Sequence, residues 1–180
     1  MDTETGTLFL ALLAVAAQVA IVGVAVLAIA ARPALATLRD VLGHQALQLA
    51  FVVALVSTVG SLWLSEGAGF TPCRLCWYQR IAMYPMTVIL GVAAWRRDGS
   101  VRWYALPVAA IGATISVWHI LIERFPSLES STSCEVANPC SIIWVERFGY
   151  LTIPTMALSG FVLIITLLLL APNAPKEIDA

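Results

Sequence analysis

Four cysteines are the residues of this 180-residue chain whose types and spacing could do chemistry, and they occur as two pairs. Cys73 and Cys76 form a Cys-x-x-Cys motif, and five residues separate Cys134 from Cys140. A thiolate is the nucleophile of disulfide exchange, and two dithiols on one side of a protein can pass electrons through mixed disulfides. Haem attachment would need a His directly after the second cysteine, where Trp77 stands instead. The pattern therefore favours a thiol–disulfide relay.

The residues around the first pair favour a reactive thiolate. Pro72 precedes the motif, as is common at helix starts, and a helix beginning there places Cys73, Cys76 and Arg80 on one face. The positive end of a helix dipole and a nearby cation both stabilise a thiolate. An arginine stays charged under protein conditions, so Arg80 is a permanent counter-charge. The alternative for Arg80 is an interfacial anchor that extends to lipid headgroups.

Three residues between Cys76 and Arg80 are further candidates, each with two interpretations. Gln79 could hydrogen-bond at the same site or lie at the membrane interface. Trp77 and Tyr78 are typical of an aromatic belt at the membrane surface, and they could also form the wall of a cleft that binds an apolar ring.

The second pair lies in a polar stretch, residues 123–147, which is typical of an exposed loop. A disulfide between Cys134 and Cys140 would close a short ring around an Asn138-Pro139 turn, and a short ring gains little from loop-closure entropy. Such a disulfide suits exchange better than bracing, although a structural staple is the alternative. Zinc held by all four cysteines is formally possible, but the spacing of the second pair does not favour it, and we expect no metal.

The composition indicates the elements that must position these cysteines. Hydrophobic residues make up 60% of the chain and charged residues 12%, whereas soluble domains carry about a quarter charged residues. This excludes an ordinary soluble enzyme, and the net charge of -1 without a run of like charge gives no reason to expect a nucleic-acid partner. Five apolar blocks are long enough to span a bilayer: residues 7–31, 44–64, 77–95, 103–122 and 148–171.

The first block is predicted to be a retained transmembrane helix. A cleaved signal peptide has a basic leader and a shorter apolar region, whereas this leader carries Asp2 and Glu4. We therefore divide the chain into an N-terminal helix with its connector (1–43), a four-helix membrane domain (44–171) and a short tail (172–180).

The distribution of basic residues predicts the orientation in the membrane, because Lys and Arg concentrate on the cytoplasmic side. Six of the ten basic residues fall in the first connector, the third connector and the tail. The N-terminus is therefore predicted to lie outside and the C-terminus inside. All four cysteines then lie in connectors 65–76 and 123–147 on the outer, oxidising side, where disulfides persist.

Several motifs resemble the DsbB/BdbC family of membrane thiol–disulfide oxidoreductases, particularly its BdbC-like branch. They are residues 70–85 (FTPCRLCWYQRIAMYP), residues 60–66 (GSLWLSE), the Cys-x5-Cys pair ending in Pro-Cys, and residues 148–154 (FGYLTIP). The resemblance extends from about residue 49 to residue 170. It therefore leaves the first apolar block as an addition to the four helices of the family.

The resemblance implies an all-α, DsbB-like four-helix bundle in the bacterial cytoplasmic membrane, here with one extra N-terminal transmembrane helix. It implies that a DsbA/BdbD-like thioredoxin-fold oxidase exchanges with Cys134 and Cys140, and that electrons pass through Cys73 and Cys76 to a ubiquinone or menaquinone. Cys76 matches the cysteine expected to contact the quinone, and Arg80 the arginine of the quinone site.

His119 and two rival functions complete the expectations. His119, near the outer end of the fourth block, matches a position close to the quinone or is a helix-packing residue. A vitamin K epoxide reductase-like protein is one rival, but its loop cysteines precede the membrane Cys-x-x-Cys, and here they follow it. The other rival is a non-catalytic membrane assembly protein in which two disulfides only brace loops.

Overall fold

The structure is a computed structural model, and it describes residues 2–131, 134 and 138–171. Within that part of the chain the main elements are α1 (Thr3–Ala30), α2 (Arg32–Leu42), α3 (Ala46–Leu62), α4 (Arg74–Arg96), α5 (Arg102–Arg124) and α6 (Ile153–Leu170). A short antiparallel pair, β1 (Glu146–Arg147) and β2 (Leu151–Thr152), precedes α6. The predicted tail, residues 172–180, lies outside the described residues.

The helices confirm the predicted all-α membrane fold. Among the described residues, four segments are long and apolar enough to cross a bilayer: Thr3–Ala30, Arg32–Gly67, Gly99–Arg124 and Ile153–Leu170. The fifth predicted span is α4, which has 23 residues. Its sequence includes Arg74, Gln79 and Arg80 and is therefore less apolar than the others. α4 packs against both α3 and α5 inside the bundle, where its polar side chains can meet protein partners.

The connector after α1 and the end of α3 differ from the prediction. The connector after α1 contains α2, an amphipathic helix with a proline in its first turn. A single π-helical turn, Trp63–Gly67, extends α3 beyond its predicted end. α4 begins at Arg74, three residues before the predicted apolar block and close to the helix start that Pro72 predicts, and Cys73 caps its first turn. This start places both cysteines of the first pair at the helix N-terminus.

The prediction that helix covers residues 148–152 was wrong. Phe148 and Gly149 have φ values of 55° and 74°, which lie outside the helical region. They form the turn between β1 and β2, whose register pairs Arg147 with Leu151. α6 therefore starts only at Ile153, with a proline in its first turn. Apolar composition alone did not distinguish this turn from the helix that follows it.

A buried core joins α3, α4, α5 and α6. Its largest members include Met86, Leu90, Phe161, Ile164 and Leu168. Alanines on α3 and α5 complete this core and let the helix backbones approach closely. The bundle holds the N-terminus of α4 beside the C-terminal end of α5.

Candidate functional site

The two cysteine pairs lie in one buried cluster. Cys134 and Cys140 are joined by a disulfide, whereas Cys73 and Cys76 are free thiols with their sulfur atoms 3.1 Å apart. Cys73 and Cys140 are buried together with Ile122 of α5, and Cys76 and Cys134 pack against this group. The fold thus brings together two pairs that are separated by more than 50 residues of sequence.

The N-terminus of α4 directs one backbone amide to the sulfur of Cys73. Cys73 has extended backbone angles (φ -73°, ψ 175°), as expected of an N-cap residue. The backbone N–H of Cys76 donates to Cys73 Sγ at 3.5 Å. The Cys76 thiol beside it lowers the pKa of Cys73 by hydrogen bonding; burial opposes this effect, and His119 adds to it. The thiolate of the reduced pair is therefore favoured on Cys73.

His119 connects the two pairs. Its Nε2 atom lies 3.6 Å from Cys73 Sγ and 3.1 Å from the carbonyl oxygen of Cys140. The residue is only 3% exposed, and its Nδ1 has no hydrogen-bond partner among the described residues. Glu123, one turn further along α5, is 8% exposed, so its side chain is buried rather than facing water. His119 therefore contacts the cysteines instead of serving as a packing residue alone.

Two loop residues that the sequence analysis did not assign to the site hold the second pair in place. The Glu129 carboxylate accepts hydrogen bonds from the Cys140 N–H and from the hydroxyl of Ser141, the latter at 2.6 Å. The Asn138 side chain donates to the Pro72 carbonyl at 3.0 Å. Asn138 had been singled out only as a turn former, because its contact joins residues 66 positions apart. Glu129 contacts residues within its own connector, and no local pattern marked it.

A largely apolar cavity of about 430 Å³ begins on the other side of Cys76. It lies between α1, α3, α4 and α6, and its polar end includes Cys76, Gln79 and Arg80. Ligand cavities in proteins typically measure about 300–1,000 Å³ and combine apolar walls with a few polar groups. This cavity has the size and lining of a site for a lipophilic molecule.

Arg80 is held at the cavity by α3. Its Nε donates to Ser61 Oγ at 3.0 Å, and one Nη donates to the Ser61 carbonyl at 2.9 Å. The guanidinium carbon also lies 5.3 Å from the centre of the Trp77 ring and 6.0 Å from that of Tyr84. These protein contacts favour a fixed cation at the cavity over an anchor in the lipid headgroups. Ser61, the main partner, had no role in the sequence analysis.

The predicted ligand-binding residues divide between two places. Cys76, Gln79 and Arg80 line the large cavity, and the Gln79 side-chain amide is buried with no partner for its Nε2 among the described residues. An unpaired buried donor suits a carbonyl acceptor such as a quinone oxygen. Trp77 and Tyr78 are 52% and 43% exposed and lie outside the lining. His119 instead borders a much smaller space beside Cys73.

The geometry also bears on metal binding. The ligand atoms of Cys73, Cys76 and His119 lie within 4.8 Å of one another, a grouping that could hold a soft metal ion. A site of four cysteines does not fit the arrangement, because the disulfide removes the two thiolates of Cys134 and Cys140. What the site can do is exchange disulfides next to a lipophilic cavity.

Comparisons with known proteins match most of the chain. The family model described as "Disulfide bond formation protein DsbB" matches residues 43–171. "Disulfide bond formation protein C" of Bacillus subtilis is 44% identical over 131 residues, which cover 73% of this chain and 95% of that protein. "Probable disulfide formation protein" of Coxiella burnetii is 37% identical over 131 residues, covering 72% of this chain and 89% of the relative. No solved structure gives a significant match.

The matched region begins after α2 and extends through the end of α6. It therefore contains both cysteine pairs, Arg80 and His119. α1 and α2 lie outside it, although α1 forms part of the cavity wall.

Proposed function

The chain belongs to the DsbB family of disulfide bond formation proteins, and from this premise we propose that it reoxidises a thioredoxin-fold dithiol oxidase and passes the electrons to a membrane quinone. Membership makes the chain a multi-pass bacterial membrane protein and an oxidoreductase that acts on thiols. The identity of the electron donor, the quinone acceptor and the order of the cysteine pairs are the proposed parts.

The proximity of the two pairs supports the outer half of the route. A thiolate of the reduced partner attacks the Cys134–Cys140 disulfide and forms a mixed disulfide, which the partner's second thiol then resolves. The partner leaves with its own disulfide, and Cys134 and Cys140 are left as thiols. A released loop thiolate then attacks a Cys73–Cys76 disulfide. That exchange restores the Cys134–Cys140 bond and leaves Cys73 and Cys76 as thiols. A Cys134–Cys140 disulfide beside free thiols at Cys73 and Cys76 is the arrangement that this exchange would leave, which supports the proposed order.

The inner half depends on Cys73, Cys76 and the groups around them. Cys73 is favoured as the thiolate, so re-forming the inner disulfide would require the loss of two electrons and of the one remaining thiol proton, that of Cys76, to an acceptor in the cavity. His119 lies against Cys73 and can hold a proton at that sulfur. A bound quinone supplies a two-electron, two-proton acceptor, and Cys76, Gln79 and Arg80 are the residues that would hold it. Arg80 provides fixed positive charge at this end of the cavity.

One observation carries the proposal: Cys76 borders the apolar cavity on one side and the buried cysteine cluster on the other. A dithiol that only braced a loop would need no such cavity. We further propose that the cysteine loops face the cell exterior, because most basic residues fall on the opposite connectors.

The test is quinone reduction by the purified protein, followed by absorbance, with a reduced thioredoxin-fold dithiol as donor. Wild type should turn over rapidly, and Cys76→Ser should stop quinone reduction. A double variant, Cys134→Ser with Cys140→Ser, separates the pairs: it should lose turnover with the protein donor but retain it with a small dithiol that reaches Cys73 and Cys76 directly. Normal turnover in Cys76→Ser would contradict the scheme. Absence of wild-type turnover with any quinone, together with disulfides that resist mild reductant, would favour a bracing role.

A further inference from the structure

α1 belongs to the cavity although it lies outside the region matched by the family. The family match starts at residue 43, whereas α1 ends at Ala30. The match with the relative from Bacillus subtilis covers 95% of that protein but only 73% of this chain. The unmatched remainder of the relative is too short to form a helix equivalent to α1. Any role of α1 at the cavity is therefore an addition to the shared four-helix domain.

Specific contacts hold α1 against the bundle. Leu10 packs onto Gly60 of α3, where an added Cβ would approach its side chain to 2.8 Å. The Gln18 amide donates to Ser159 of α6 at 2.9 Å. Arg147, just before α6, donates to Thr7 at 2.8 Å. These contacts occur at three levels of α1 and fix the side that faces the cavity.

The face that α1 presents to the cavity is apolar and long. Leu10, Leu13, Ala14 and Ala17 line the space, and the lining continues to Ala20. The ten-residue interval from Leu10 to Ala20 corresponds to about 15 Å of helix. All polar side chains of the lining come from elsewhere in the chain, among them the group at Cys76, Gln79 and Arg80.

The polar end and the apolar wall of the cavity suit two different parts of one ligand. The polar end next to Cys76 suits a ring with carbonyl oxygens, whereas a uniformly apolar wall of this length suits a hydrocarbon tail. Alanines at positions 14 and 17 leave room for the tail that larger side chains would fill.

We propose that α1 is a specificity-determining wall of the quinone cavity, which contacts the isoprenoid tail and covers the cavity against the surrounding lipid. The inference rests on the proposed function, because it takes the ligand to be a quinone. Ala17 is the position at which added bulk reduces the room for the tail while leaving Cys76, Gln79 and Arg80 unchanged.

The experiment compares wild type, Ala17→Phe and Ala25→Phe in the full chain. Ala25 is an exposed alanine of the same helix outside the cavity lining, so it is the matched control. Each protein is titrated with 2-methyl-1,4-naphthoquinone and with the same ring carrying a short isoprenoid tail, and the corresponding benzoquinones are tested in parallel. Equilibrium binding is measured by fluorescence, and quinone retained through purification is extracted and quantified.

Ala17→Phe should weaken binding of the tailed quinones by about tenfold, because the larger side chain would occupy space that the tail needs, and overpacking of this kind costs on the order of one power of ten in affinity. It should change binding of the tailless rings by less than about twofold, and Ala25→Phe should leave both unchanged. Leu13→Ala tests the same wall by removing contacts, and should weaken tailed quinones by about threefold. This second variant keeps the test decisive if Ala17→Phe does not fold.

Two outcomes would overturn the role of α1. In one, the substitutions weaken the binding of tailed and tailless quinones equally. In the other, Ala17→Phe and Leu13→Ala both bind quinones as tightly as Ala25→Phe does. Failure of the proposed function looks different, because wild type would then bind and reduce neither type of quinone. Wild type that binds both, with variants that do not discriminate, would leave the proposed function intact and remove only the inference about α1.

Discussion

The side-chain amide of Asn138 donates a 3.0 Å hydrogen bond to the carbonyl oxygen of Pro72, the residue immediately before Cys73. This contact joins the loop of the second cysteine pair to the start of α4. Together with His119, which contacts both Cys73 and Cys140, it holds the Cys134–Cys140 disulfide beside the first pair. The two cysteine pairs therefore lie within a preformed cluster, as the proposed exchange between them requires.

Replacing Asn138 by Ala should slow electron transfer from the loop pair to the first pair. One hydrogen bond contributes about 0.5–1.5 kcal/mol, so the rate should fall about threefold to tenfold. The measurement is rapid acid quenching followed by alkylation, which reports the redox state of each pair over time. Thr114→Val is the control, because it removes an exposed hydrogen bond within α5. Equal rates for Asn138→Ala and the control would show that the loop needs no such tether.

The thiolate of Cys73 should persist at a pH below the usual pKa of a cysteine, because the hydrogen bond from the Cys76 side chain lowers the pKa of Cys73. Cys76→Ser keeps a donor at that position and Cys76→Ala removes it, and in both variants Cys73 is left as the free thiol beside the loop disulfide. The ultraviolet absorbance of the thiolate should therefore titrate at higher pH in Cys76→Ala than in Cys76→Ser. Coincident titration curves would contradict this origin of the shift.

Ser61→Ala should lower quinone affinity without removing any cysteine. The substitution removes the Ser61 hydroxyl that accepts from Arg80 Nε and leaves the backbone carbonyl contact in place. Hydrogen bonds to charged groups contribute about 1.5–3 kcal/mol, so the loss of one should raise the quinone Kd by about tenfold. Thr58→Val is the control, because it breaks another contact between α3 and α4, to Thr87 at 2.8 Å, outside the cavity lining. The prediction fails if the two variants bind quinone equally well.

Two glycine substitutions should have opposite effects on stability. A Cβ at Gly112 would overlap the ring of Phe161, which is fully buried between α5 and α6. Gly112→Ala should therefore lower the free energy of unfolding by about 1–3 kcal/mol.

A Cβ at Gly23 on α1 meets no described atom within 4 Å. Gly23→Ala should therefore raise the free energy of unfolding by about 0.5–1 kcal/mol, because alanine loses less backbone entropy than glycine when the helix forms. Unfolding in mixed detergent measures both, and a stable Gly112→Ala would mean that α6 can shift.

Local composition was sufficient to predict the five long helices, but not α2 and not all of the helix ends. Runs of apolar residues indicate spans wherever they are long enough, and each of the five blocks contains a long helix. The turn at Phe148 and Gly149 was missed because no charged residue separates it from the helix after it, and the difference lies in backbone angles. α2 was missed because a short amphipathic helix resembles a polar connector when only span length is considered.

The cysteines, Arg80 and His119 could be recognised from the sequence, because residue type and spacing carry their chemistry. Their neighbours could not: Ser61, Glu129 and Asn138 are ordinary residues until folding places them against Arg80, Cys140 and Pro72. The same applies to Gln79, whose unpaired amide became meaningful once it was found buried at the cavity.

Hydropathy and cysteine spacing are properties of neighbouring residues, so the sequence was sufficient to predict the membrane class, the long helical spans and the two cysteine pairs. The packed structure was needed to find that His119 contacts both pairs and that α1 lines the cavity. Side-chain contacts between segments far apart in the chain, and the space left between packed helices, depend on how all the helices pack together. No single stretch of sequence specifies them.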